Sequence, residues 1–214
     1  MRLFLHTART DQVRAATKLG ILGGLVTSPM LLAEAKRSTY AALVIEFSRT
    51  FSGPVVAMLP YRETAVILAQ SRAWAEDAPN AIPGVPVTAN GLSAISQLTE
   101  EGMQVCGACV ASAAQGLLAA SAGAAYISIL AEPLLAAGAD PGDVVTDLAQ
   151  LFEYYSIQCQ IIAEGVTSSR HLLEFAKAGA HAASATLSVL TMAAEHPLTG
   201  AALIDPSPHA SPSA

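Results

Sequence analysis

A chain of 214 residues, 52% apolar and only 13% charged, is long enough for one domain with a sizeable core. Its formal net charge of −6 excludes the clustered basic surface that nucleic acid requires. The longest apolar runs are broken by Gly and Pro and fall short of a membrane span. Met1–His6 reads as too short and too soon interrupted for a signal peptide. Cys106, Cys109 and Cys159 form the odd, sparse set of thiols expected in the cytoplasm.

Leu3–Leu5 reads as a buried strand ending in His6 and Thr7, and Asp11 opens a helix through Leu19. Ile21–Thr27 is a second strand closed by Ser28–Pro29, with one long helix expected from Met30 to about Arg49. Pro54–Leu59 is the third strand, and Arg62–Asp77 its helix. Ala81–Thr88 is the expected fourth strand, although Pro83, Gly84 and Pro86 suit a strand poorly. Two strand–helix turns then follow with almost no linker. A helix opens at Asn90–Gly91 and stops at Gly102, and Met103–Val110 is the fifth strand. Ser112 caps a helix through Leu118, Gly123 ends it, and a sixth strand runs from Ala124 to about Leu130. Thr or Ser before a helix and Gly after it are the expected punctuation.

A loop rich in Gly and Asp, Ala136–Gly142, leads into a helix over Asp143–Tyr155. Gln158–Ala163 is the seventh strand, and Ser169–Ala178 its helix, stopped by Gly179. His181–Leu187 is a weak eighth strand, followed by a helix over Ser188–Glu195. The tail Asp205–Ala214 has the composition of a disordered end, leaving residues 1–204 as the domain. Regular strand–helix alternation with short links implies parallel strands covered by helices. Eight such pairs predict an α/β fold, a single (β/α)8 barrel.

Such barrels place their chemistry at the C-terminal ends of the strands. Those ends are His6, Thr27, Ser28, Met58, Gly84, Ala108, Leu130, Glu164 and Gly165. Alternation along the seventh strand predicts Gly165 inward and Glu164 towards the helices, unless the strand bulges. Tyr61, Arg62 and Glu132 are expected at the rim. Cys106 and Cys109 match C-x-x-C, but residues three apart in a strand face opposite ways, so a disulfide is not expected. His171, His181, His196 and His209 show no metal-ligand spacing, and no metal or cofactor is implied.

Four stretches, LFLHTAR, GLVTSP, PVTANGL and SAAQGLLAASAGAAYI, resemble the small transaldolases and fructose-6-phosphate aldolases. The resemblance covers about residues 2–200 and implies a transaldolase-type barrel. In that family a lysine on the fourth strand forms a Schiff base with a keto sugar phosphate. The resemblance places Gly84 at the lysine's position, His6 at a strand-one Asp, and Val26 and Ser28 at a Thr and an Asn. It places Met58, Ala108, Leu130, Pro133 and Gly165 where the family carries polar or phosphate-binding groups. Arg170 matches an Arg of the family, while Thr167 stands for a Lys. The three lysines, Lys18, Lys36 and Lys177, all fall within predicted helices.

Schiff-base chemistry needs an amine nucleophile in a dry pocket. Its absence from the strand ends leads to the expectation of a repurposed barrel. Such a barrel would run a lysine-independent cyclisation, isomerisation or carbon–carbon bond reaction on a largely apolar small molecule. His6 would move a proton and Ser28 would hold or orient. Val26, Met58, Gly84, Ala108, Leu130, Gly165, Arg62 and Arg170 would contact the substrate. A non-catalytic binding barrel and residual sugar-phosphate aldolase activity are the alternatives. No nucleic acid or membrane partner is expected, and a homo-oligomer is.

Overall fold

Each apolar strand of the sequence finds two parallel neighbours, so no strand edge is left open. The computed structural model describes residues 1–35 and 39–202. In chain order the first half comprises β1 (Arg2–His6), α1 (Thr10–Lys18), β2 (Leu22–Thr27), α2 (Pro29–Glu34), α3 (Tyr40–Thr50), β3 (Val55–Met58) and α4 (Thr64–Asp77). It continues with β4 (Ala81–Pro86), α5 (Ala89–Glu100), β5 (Cys106–Val110), α6 (Ala113–Ser121) and β6 (Tyr126–Leu130). The remainder is α7 (Ala131–Ala136), α8 (Pro141–Tyr154), β7 (Gln160–Val166), α9 (Ser169–Ala178), β8 (Ala182–Ala185), α10 (Leu187–Ala193) and α11 (Pro197–Ala202). The strands close in sequence order, β8 returning to β1, as the sequence predicts.

Local chemistry explains the boundaries. Thr88, Ser112 and Ser168 each accept a backbone N–H three residues on, from Gly91, Gln115 and His171, and so start α5, α6 and α9. Gly179 ends α9 at φ +98°, a left-handed conformation natural to glycine. The long helix expected over Met30–Arg49 is two helices, α2 ending at Glu34 and α3 starting at Tyr40. Lys36 and the tail Asp205–Ala214, with His209, lie outside the described residues. The short helix α7 was not expected. Pro133 sits in its first turn, where a missing N–H disrupts nothing.

Cross-strand register sorts the barrel axis into layers. Phe4, Val56, Cys106 and Ile162, from the odd strands, fill one level. Ile82, Tyr126 and Ala182 lie below it, beside Gly24. Gly24 is required there, because a Cβ would stand 2.5 Å from the Phe4 ring. The next level up holds Val26, Gly84, Ser128 and Ser184, and the top level His6, Met58, Ala108 and Glu164. A second, larger core fills the space between strands and helices around Leu25, Phe47, Ile127, Leu148 and Ile161. Among the described residues, no helix is long and apolar enough to cross a membrane.

Overpacking of this kind costs about 1–3 kcal/mol. Gly24→Ala is therefore expected to lower stability by that order in urea titrations, and the loss is expected to shrink in a Phe4→Leu background. Equal losses in both backgrounds would refute the packing account.

Candidate active site at the barrel mouth

Glu164 faces the barrel axis. It follows Gln160 and Ile162 on the same face of β7, is 8% exposed, and accepts a short hydrogen bond from the Ser128 hydroxyl of β6. This corrects the expectation that Gly165 points inward and Glu164 outward. Plain alternation from inward-facing Ile162 turns Glu164 to the axis, and a bulge follows it: pairing with β8 steps from Glu164–Ser184 to Val166–Ala185, leaving Gly165 as the extra residue at φ +83°.

His6 ends β1 on the same level, and its Nε2 stands 3.8 Å from Glu164 Oε1. Burial lowers the His6 pKa to about 4, so the imidazole is neutral at pH 7. Burial pushes the Glu164 carboxyl up, and the Ser128 hydroxyl pulls it part of the way back. The contact therefore joins a neutral base to a carboxyl displaced towards its acid form, and is not an ion pair. Environments that drive a base down and an acid up separate the two proton-transfer roles.

Tyr40 is the neighbour that sequence reading missed. At the start of α3, it donates its hydroxyl to the Thr27 carbonyl oxygen at 2.9 Å. Burial raises its pKa well above the ordinary value, with the Glu164 and Tyr61 charges adding to this. Its signal in the sequence lay hidden inside an expected long helix. Ser128 and Ser184 were missed because they lie one level below the strand ends.

The other expected site residues divide. Val26 is fully buried beneath His6, and Ala108 shares the top level with it. At Gly84, a Cβ would stand 2.5 Å from the Met58 sulfur, so the thioether occupies the space above it. Leu130 ends β6 beside Glu164 as the residue preceding α7. Ser28 uses its Oγ to accept the Leu31 N–H at 3.3 Å, starting α2. Arg170, in the first turn of α9, is exposed and ion-paired with Glu174 at 2.8 Å.

Arg62 lines a cleft of ≈ 650 Å³ opening at the ends of β3, β4 and β5, with Tyr61, Pro86, Asn90 and Cys109. Cys109, at φ +60°, sits on a bulge of β5 and is exposed, whereas Cys106 is buried, and both thiols are free. Lys18 ends α1 and Lys177 lies in the last turn of α9, both remote from the mouth. Among the described residues, no cluster of His, Cys, Asp and Glu forms a metal site.

Comparison with known proteins bears on this geometry. The sequence profile of the family described as Transaldolase/Fructose-6-phosphate aldolase matches residues 3–212. A "Probable transaldolase" of Herpetosiphon aurantiacus is 36% identical over 93% of this chain and 90% of its own length. One of Desulforudis audaxviator is 36% identical over 95% and 94%. "Probable transaldolase 1" of Listeria monocytogenes is 36% identical over 93% and 92%. A solved structure titled "Native KDPGal structure" superposes with a TM-score of 0.61 at 14% identity, covering 86% of this chain and 82% of its own. That likeness concerns the fold alone.

These relatives overturn the expectation of a repurposed barrel running a cyclisation, isomerisation or carbon–carbon bond reaction on a largely apolar molecule, and that of a non-catalytic barrel. They point to the activity class that sequence reading placed last. The sequence over nearly its whole length, and the closed barrel it forms, place the chain in the transaldolase/fructose-6-phosphate aldolase family of enzymes.

Proposed function

We propose that this chain catalyses the aldol class of reaction, making or breaking a carbon–carbon bond beside a carbonyl, with acid and base in place of an amine. The observation that carries the reading is Glu164, turned inward, held by Ser128 and set 3.8 Å from His6 at the mouth of the barrel. No lysine stands at the fourth-strand position, where Gly84 lies under the Met58 sulfur.

In the bond-forming direction, the acid form of Glu164 hydrogen-bonds the carbonyl oxygen of a small hydroxy-ketone. Neutral His6 removes a proton from the adjacent carbon while Glu164 delivers its proton to the oxygen, giving an enol. The enol carbon attacks an aldehyde. As the new bond forms, the imidazolium protonates the resulting alkoxide, and the enol proton returns to Glu164 as the ketone re-forms. The apolar side chains around the pair, Val26 beneath it and Ala108 and Leu130 at its level, limit water's access to these transfers.

The cleft beside the mouth receives the far end of the aldehyde partner, with Arg62 meeting any anionic group there. Gly165 forms the bulge that follows Glu164 in β7, and Arg170 is held on the surface by Glu174. We place the enzyme in the cytoplasm, where its three free thiols stay reduced, and expect it to act as a homo-oligomer.

Deuterium exchange into dihydroxyacetone, followed by proton NMR, tests the first half-reaction. Wild type is expected to exchange, and His6→Ala and Glu164→Gln to slow exchange by about 100-fold or more. Exchange unaffected by either substitution would overturn the assignment. Borohydride treatment with dihydroxyacetone or fructose 6-phosphate is expected to leave the intact mass unchanged. A trapped adduct would establish an amine mechanism instead.

The neutral imidazole has a thermodynamic signature. The unfolded chain binds a proton at His6 near pH 6.5, whereas the folded chain binds it only near about 4. The stability contributed is therefore complete above pH 6.5 and is lost as the pH falls towards 4, by up to about 3 kcal/mol. Urea titrations of wild type and His6→Gln are expected to differ in pH dependence across that window. Parallel curves would show that His6 is not held neutral.

A further inference from the structure

Ser184 presents a hydroxyl that the fold buries and does not use. It lies on β8, is completely buried, and its Oγ has no hydrogen-bond partner among the described residues. Such an orphan inside a barrel is unfavourable unless some other state of the molecule employs it. Cross-strand pairing sets Ser184 directly beside Glu164 on β7 and Phe4 on β1. Alternation after inward-facing Ala182 turns its side chain to the axis, on the level just below Glu164 and His6. Adjacent strands lie about 4.8 Å apart, within reach of a serine hydroxyl turning towards a neighbouring carboxylate.

Glu164 has a serine beside it on each flanking strand, and only Ser128 hydrogen-bonds it. Its other titratable neighbours are unsuited to stabilise an anion. His6 on β1 is neutral, Tyr40 on α3 donates to the Thr27 carbonyl, and the Cys106 and Cys109 thiols of β5 sense Glu164 as a like charge. Glu132 on α7, beside Gly165, brings a second acid.

We propose that Ser184 is a positioning residue for Glu164, turning its O–H to the carboxylate whenever that group has given its proton to substrate. Two strands then hold the ionised form, Ser128 from β6 and Ser184 from β8, and release it when the proton returns. No covalent bond of Ser184 changes. The proposal rests on the acid role given to Glu164 above and assigns the group that supports its conjugate base.

Carbon-13 NMR of the full-length protein labelled at glutamate carboxyls tests it without a substrate, the Glu164 resonance being identified by its loss in Glu164→Gln. The wild-type midpoint is expected above the ordinary glutamate range. Ser184→Ala is expected to raise it further, by about one pH unit, as a lost hydrogen bond to a charged group requires. Ser184→Thr, which keeps the hydroxyl, is expected to restore the wild-type midpoint. Ser184→Cys, close in volume but a weak donor, is expected to behave like alanine and stands in for it if Ser184→Ala does not fold. A midpoint unmoved in Ser184→Ala or Ser184→Cys would overturn the role of Ser184 while leaving the acid role of Glu164 intact. An ordinary wild-type midpoint would remove the acid role itself, and the proposal with it.

Discussion

A closed barrel of eight parallel strands has to fill its own axis with side chains. Only the uppermost level of that filling meets solvent at the C-terminal mouth. Here the constraint is met by apolar groups below, with Phe4, Val56, Cys106 and Ile162 as the middle level. It is met by a mixed level at the top, where His6 and Glu164 face each other across β8 beside Met58 and Ala108. The chemistry follows from that placement. Burial drives both the carboxyl and the imidazole towards their neutral forms, which is the state in which one donates and the other accepts.

The arrangement also depends on what surrounds the barrel. Hydroxyl caps at Thr88, Ser112 and Ser168 fix where helices begin, and so where each strand must stop. The tight link between β6 and α7 brings Glu132 against the bulge at Gly165. Tyr40, anchored on the Thr27 carbonyl and packed edge-on against Trp74, ties α3 to the end of β2 and to α4.

Much of this was legible in the residues. Strand order and number followed from eight apolar stretches separated by helix signals, and the caps fell where Thr, Ser and Gly placed them. The errors have physical causes. Faces along β7 were counted from Gly165, which is the extra residue of a bulge, whereas alternation counted from Ile162 turns Glu164 to the axis. A helix interrupted near residue 35 reads as continuous when both halves are helix-forming, which hid Tyr40. Positions one level below a strand end, such as Ser128 and Ser184, need cross-strand register, and register is a property of pairs of strands. The family resemblance was sound, but reading it residue by residue against the family pattern could not show Glu164 turned inward beside His6.

The Met58 sulfur above Gly84 bears on how such a site can change over time. A side chain at position 84 would meet that sulfur at 2.5 Å and the Met58 backbone at 3.2 Å. A side chain at position 84 therefore requires the Met58 thioether to move aside. The reverse step is free of such a barrier, since a glycine clashes with nothing. A lineage can pass easily from an occupied position 84 to an empty one, and a neighbouring thioether then takes up the space. Return would ask the flexible Met58 side chain to swing aside before an amine could stand there.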